Sequence, residues 1–162
     1  MKITLFCLAL LIICAQAGVK KPRELADYAP RTLNELAQLK AASVENINEN
    51  ITIQGDIVPS RVKVVYEGTS RPLIEIRKDA IGEWTRRYAG APEFYTRHYE
   101  TEVLFSEGEG KYWLVVRKEL LPAFEKELKK GDVVELYLIK LGGVRNGDTW
   151  ESVLLVEKFT KP

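Results

Sequence analysis

The chain has 162 residues, 46% of them hydrophobic, 29% charged and 9% aromatic, with 24 lysines and arginines against 23 aspartates and glutamates. With 11 glycines, 7 prolines and 2 cysteines, it is neither collagen-like, nor low-complexity, nor a disulfide-dense scaffold. These proportions describe an ordinary folded domain and single out no chemistry.

Met1 and Lys2 precede an apolar run from Ile3 to Ala15, which ends in Ala15-Gln16-Ala17 before Gly18. A positive start, a short apolar centre and a small-x-small step are the layout of a secretory signal peptide over residues 1–17. The run is shorter than the roughly 20 residues that span a bilayer. A lipid-anchored Cys14 is the weaker reading, because Ile13 precedes it where a small residue is expected. Cleavage after Ala17 removes Cys7, Cys14 and one charge, Lys2, leaving 23 basic against 23 acidic residues. The exported chain then has no thiol for a disulfide, a nucleophile or a metal, and no transmembrane span. Its expected location is secreted or periplasmic.

Residues 18–31 read as an extended leader, ordered only if docked. Thr32-Leu33-Asn34-Glu35 matches a capping box, and Leu33, Leu36 and Leu39 follow at helical spacing, so a helix of about Leu33 to Ser43 is expected within a segment 32–48. From Asn50 the period becomes two. Ile51, Ile53, Gly55 and Ile57 alternate with polar partners, Gly55 suggests a bend, and Val62, Val64 and Tyr66 resume the alternation. Thr69 to Pro72 reads as a turn, followed by a β-like Leu73 to Arg77. Val103 to Phe105 and Tyr112 to Val116 flank a hairpin loop at Ser106 to Gly110. Leu120, Phe124 and Leu128 mark a helix, with Pro122 in its first turn and Gly131 as its left-handed stop. Val133 to Leu141, a turn holding Gly142-Gly143 and Asn146-Gly147-Asp148, and Trp150 to Phe159 complete a strand–turn–strand.

The residues Ile51-Thr52-Ile53-Gln54-Gly55-Asp56-Ile57-Val58, Leu128-Lys129-Lys130-Gly131-Asp132-Val133-Val134 and Trp150 to Val156, taken with the order of elements, resemble the oligonucleotide/oligosaccharide-binding (OB) fold. That resemblance implies a mainly β chain. Its core would be a small five- to six-stranded Greek-key barrel over 50–160, with one helix before the last two strands and a short N-terminal helix. Its strands would lie near 50–66, 101–106, 111–117, 132–141 and 150–159, with residues 69–100 as an insertion.

The insertion concentrates Trp84, Arg86, Arg87, Tyr88, Phe94, Tyr95, Arg97, His98 and Tyr99 within 16 residues. Flat rings beside guanidinium groups bind flat or anionic ligands, so Trp84, Arg86, Arg87, Tyr88, Tyr95, Arg97, His98 and Tyr99 are the candidate ligand surface. The competing reading has these rings folding the insertion onto the barrel. The zero net charge argues against nucleic acid, whose binding draws on excess lysine and arginine. His98 is the only histidine, too few for a metal site, and Glu107, Glu109 and Asp148 form no calcium-loop pattern. No phosphate-cradling glycine loop and no nucleophile elbow is present. Asn50-Ile51-Thr52 matches a glycosylation acceptor and is read as coincidence.

The expected function is therefore an exported, non-enzymatic binding module without cofactor, for a protein, peptide or glycan. The first alternative is a small hydrolase or nuclease, which requires Asp56, Glu75, Arg77 and Arg87 to converge in one cleft. The second is a structural envelope component, which requires a large exposed apolar patch.

Overall fold

The computed structural model describes residues 23–39, 41–90 and 92–162; the proposed signal peptide 1–17, with Cys7 and Cys14, and the first part of the 18–31 leader lie outside the described residues. The elements are β1 (Ala29–Pro30), α1 (Leu33–Gln38), β2 (Val44–Asn48), β3 (Ile51–Gln54), β4 (Ser60–Pro72), α2 (Glu75–Trp84), α3 (Pro92–His98), β5 (Thr101–Glu107), β6 (Gly110–Val116), α4 (Leu121–Glu127), β7 (Val133–Asn146) and β8 (Thr149–Thr160). A π-helical turn, Thr85–Ala89, continues α2 and stops at the left-handed Gly90. The fold is mixed α/β, 29% helix and 47% strand, with one eight-stranded mixed sheet.

Most of the sheet bends into a partial ring. β4 pairs with β5, β5 with β6, β6 with β8, β8 with β7, and β7 returns to β4. The weakest link is β6–β8, which run parallel and pair only at Val115–Leu155 and Val116–Val156. β3 and then β2 extend the sheet beyond β7.

A strand shows alternate side chains to opposite faces, and here both faces are covered. Val62, Val64, Val103, Phe105, Leu114, Val116, Leu136, Leu138, Leu154 and Val156 fill the ring, together with Leu33 and Leu36 of α1 and Phe124 of α4. Val115, Ile139, Leu141, Val153 and Leu155 point the other way, onto a second core with Ile51, Ile53, Ala80, Ile81, Trp84 and Tyr99. The two cores explain why Val133 to Leu141 is apolar at successive positions.

α1 forms as its capping box predicts. The Thr32 hydroxyl accepts from the Glu35 amide at 3.0 Å, and the Glu35 carboxylate accepts from the Thr32 amide at 2.7 Å. The sheet then holds both helix ends. Glu107 accepts from the amides of Leu33 (2.8 Å) and Asn34 (3.3 Å), while the Lys140 ammonium donates to the carbonyls of Leu36 (2.7 Å) and Leu39 (3.0 Å). An anion at the N-terminus and a cation at the C-terminus complement the helix dipole. Burial lowers the Lys140 pKa.

Several sequence expectations need correction. The chain is mixed α/β rather than mainly β, because the 69–100 insertion holds two helices and a π-helical turn. The N-terminal helix stops at Gln38, and Val44–Asn48 of the 32–48 segment is a strand paired with β3. The expected first strand, 50–66, is two strands interrupted at residues 55–59. Thr69 to Pro72 is not a turn but the end of β4, paired with β5. Leu73 to Arg77 is not a strand: Ile74 caps α2, and a short apolar run with charges between has too little length to separate the two periods. Gly131 is left-handed as expected, yet its amide bonds to the Tyr66 carbonyl at 2.8 Å, so it joins β4 rather than ending a helix. Gly142-Gly143 lies inside β7, where β3 passes so close that a Cβ on Gly142 would sit 2.1 Å from the Thr52 carbonyl oxygen. The described part of the leader, from Arg23 on, is docked. Arg23 donates to both oxygens of Glu157 at 2.8 and 2.9 Å, the Tyr28 hydroxyl donates to Glu157 at 2.6 Å, and β1 pairs with β4.

Candidate functional site

The aromatic–basic stretch divides by residue type. Trp84 is 1% exposed, and its indole donates to the Gln54 carbonyl at 3.0 Å. Tyr99 is 3% exposed and stacks on half-buried Tyr95 at 5.9 Å, while Tyr95 meets Trp84 edge-on at 5.2 Å. Burial pushes the Tyr99 and Tyr95 phenols above their ordinary range. Half-buried Tyr88 donates its hydroxyl to Glu45 and lies against Gly55, where a Cβ would come within 2.9 Å of its ring. The arginines stay at the surface. Arg86 pairs with Glu83, Arg87 with Glu45 at 2.7 Å, and Arg97 with Glu93 at 2.8 Å. His98 meets Glu119 through Nδ1 and lies 4.5 Å from the ring of exposed Phe94. These residues thus form a helical pad whose rings, Phe94 apart, face the second core and whose charges face water, not one stacked groove.

A different set of side chains does converge. Arg77, on the buried side of α2, donates to Glu102, to the Trp113 carbonyl at 2.7 Å, and to Glu151. Glu102 is 0% exposed and also accepts from Arg71 Nε at 2.7 Å, and the Arg71 guanidinium lies 4.0 Å over the Trp113 ring. Two arginines and two glutamates balance in charge, which makes a buried network tenable. Glu151, a third exposed, carries the network to the surface.

The network sits at the base of a groove. Beyond Val115 and Val116, β6 and β8 have no pairing with each other, and the gap holds a cavity of about 220 Å³ lined by Leu33, Ala37, Arg77, Lys111, Tyr112, Trp113, Leu114, Trp150, Glu151, Ser152 and Leu154. A second cavity, about 210 Å³, adjoins it and shares Ala37, Trp150, Glu151 and Ser152, with Thr52, Gln54 and Lys140 on its far side. Together they lie in the size range of small-ligand sites, about 300–1,000 Å³. Trp150 is 54% exposed and borders both. α1 forms their shared wall through Ala37.

None of these groove residues except Arg77 stood out in the sequence, and Arg77 entered only as one of four scattered charges. Two signals were available. Lys140 is the one cation inside the apolar run Val133 to Leu141, and Trp150 is a large ring directly after a turn. The remaining three of the four charges are bonded elsewhere. Asp56 accepts from Ser43, Glu75 pairs with Lys78, and Arg87 pairs with Glu45. Among the described residues, no group of three or more His, Cys, Asp or Glu side chains could hold a metal ion, and no helix is long and apolar enough to cross a membrane. Comparison of the chain with protein-family models, with curated proteins and with solved structures finds no match, so the chemistry of the groove is argued from its own residues.

Proposed function

We propose that the chain is an exported binding module, OB-like in its ring, which holds a peptide or glycan in the groove beside Trp150 and performs no reaction of its own. The apolar leading segment supports export. Five ring strands left partly open between β6 and β8, with α4 between the third and the fourth, support the OB-like reading. The observation that carries the binding reading is Trp150, an indole left more than half in water above two adjoining cavities with Glu151, Ser152 and Arg77 beside it. An aromatic ring with hydrogen-bonding groups at its edge serves ligands that are apolar on one side and polar on the other. Asp56, Glu75 and Arg87 bond to partners outside the Arg77 network, which supports the binding reading over the hydrolase alternative. The envelope-component alternative would draw on Leu25, Val44, Phe94, Val133 and Trp150, the exposed large hydrophobic residues among those described.

The test is ligand capture from the secreted or envelope fraction by immobilised protein. Trp150→Ala is expected to lose the captured ligand, Phe94→Ala to keep it, and both to retain native circular dichroism. Equal capture by the two variants would overturn the assignment of the groove.

A further inference from the structure

Resting on the binding reading above, we infer that the occupant of the groove is an extended peptide that adds a short strand to the open edge of β6. Glu107 pairs with Gly110, Phe105 with Tyr112 and Val103 with Leu114 across the β5–β6 hairpin. In an antiparallel pair, each residue turns both its N–H and its C=O to one side, and successive residues alternate. Trp113 turns away from β5, because its carbonyl receives the Arg77 guanidinium from the groove side. Lys111, two residues earlier, presents its backbone to that same edge. The pairing with β8 that would satisfy this edge is confined to Val115 and Val116.

A row of backbone donors and acceptors at strand spacing is chemically complementary to another backbone, and an open strand edge is the standard template for strand addition. The cavity admits this only briefly. Arg77 already occupies the Trp113 carbonyl, so an incoming strand meets the Lys111 N–H and C=O and the Trp113 N–H, then stops at the guanidinium. Side chains of the guest alternate between Tyr112 and Leu114 on one face and the Trp113 ring on the other. A saccharide would use the exposed indole and hydrogen-bond single edge groups, but its hydroxyls do not repeat at the spacing of alternating peptide donors and acceptors.

The experiment is amide exchange by NMR on the chain without its signal peptide, residues 18–162, with two probes: a library of capped hexapeptides drawn from Ala, Ser, Thr and Val, and a soluble N-acetylglucosamine trisaccharide. The peptides are expected to slow exchange at the Lys111 and Trp113 amides about tenfold or more and to shift the Trp150 indole. Backbone N-methylation of the peptides should abolish both effects. Lys111→Pro, which removes an edge N–H where proline is tolerated, should weaken binding about tenfold, while Lys111→Thr keeps it. Peptide binding that survives N-methylation, or that protects other amides, overturns the inference. A response of Trp150 to the trisaccharide alone overturns the inference and leaves the groove as the binding site. Silence toward both probes overturns the groove as well.

Discussion

The α2–α3 pad and the β6–β8 groove are built from the same kinds of residue and put them to opposite use. In the pad, Trp84, Tyr95 and Tyr99 turn inward to close the second core, and Arg86, Arg87 and Arg97 pair with glutamates on neighbouring turns and strands. In the groove, Trp150 turns outward, and an arginine is taken out of water to lie between two strands. Ring and guanidinium content therefore says little about binding until the backbone decides which side of each residue meets solvent. The pad had the richer sequence signal, and the groove has the more open geometry.

That contrast can be broken most directly at Trp84. Trp84→Ala removes a fully buried ring and its bond to Gln54, and is expected to cost about 3–5 kcal/mol of stability in chemical denaturation. A cost under about 1 kcal/mol would place Trp84 in the ligand surface after all. Glu102→Ala tests the network below the groove. It leaves Arg77 buried without its main partner and is expected to cost about 3–5 kcal/mol, with a change in Trp113 fluorescence. A neutral result would mean that Glu151 and the Trp113 carbonyl suffice to hold Arg77.

The next effect depends on pH. Burial, with the Glu157 carboxylate adding to it, raises the Tyr28 and Tyr99 phenols above the ordinary value of 10. Above that value the unfolded chain releases these protons and the folded chain keeps them. Stability is therefore fully present below pH 10 and falls as pH rises beyond it. Tyr28→Phe should flatten that alkaline decline in thermal denaturation scans, and an unchanged slope would remove Tyr28 as its source. The smallest expected effect is the most informative for function. Trp150→Ala should change stability by no more than about 0.5 kcal/mol, as for an exposed side chain, while removing ligand. A large stability loss would turn the groove into a second packing site.

Elements with strong local rules were legible. The Thr32–Glu35 capping box, the β5–β6 hairpin around Ser106 to Gly110 (its turn tightened to residues 108–109), Pro122 in the first turn of α4 and the β7–β8 strand pair all occur where local chemistry put them. The errors fall where a local signal had two solutions. Leu73 to Arg77 fits a short strand or a helix entry, and the run Thr69 to Pro72 reads as a turn until β5 pairs with it. Gly142-Gly143 looks like a turn because glycine is common there, yet here it is small so that the β3 backbone can approach. At the candidate site, Glu102 and Arg71 carry no pattern at all. They meet across strand neighbours, and Arg77 reaches them from a helix 25 residues earlier than Glu102.

Local composition alone determined much of this protein: the apolar profile of Ile3 to Ala15, the even charge balance, the lack of cysteine after residue 17, and most of the strand and helix positions, because these depend on residues a few places apart. Which aromatic is core and which is surface, which arginine loses its water, and where the ring is left open were decided only by tertiary structure. Each of those outcomes depends on distant segments competing for the same face of a strand, and that competition leaves no mark on the residues taken one neighbourhood at a time.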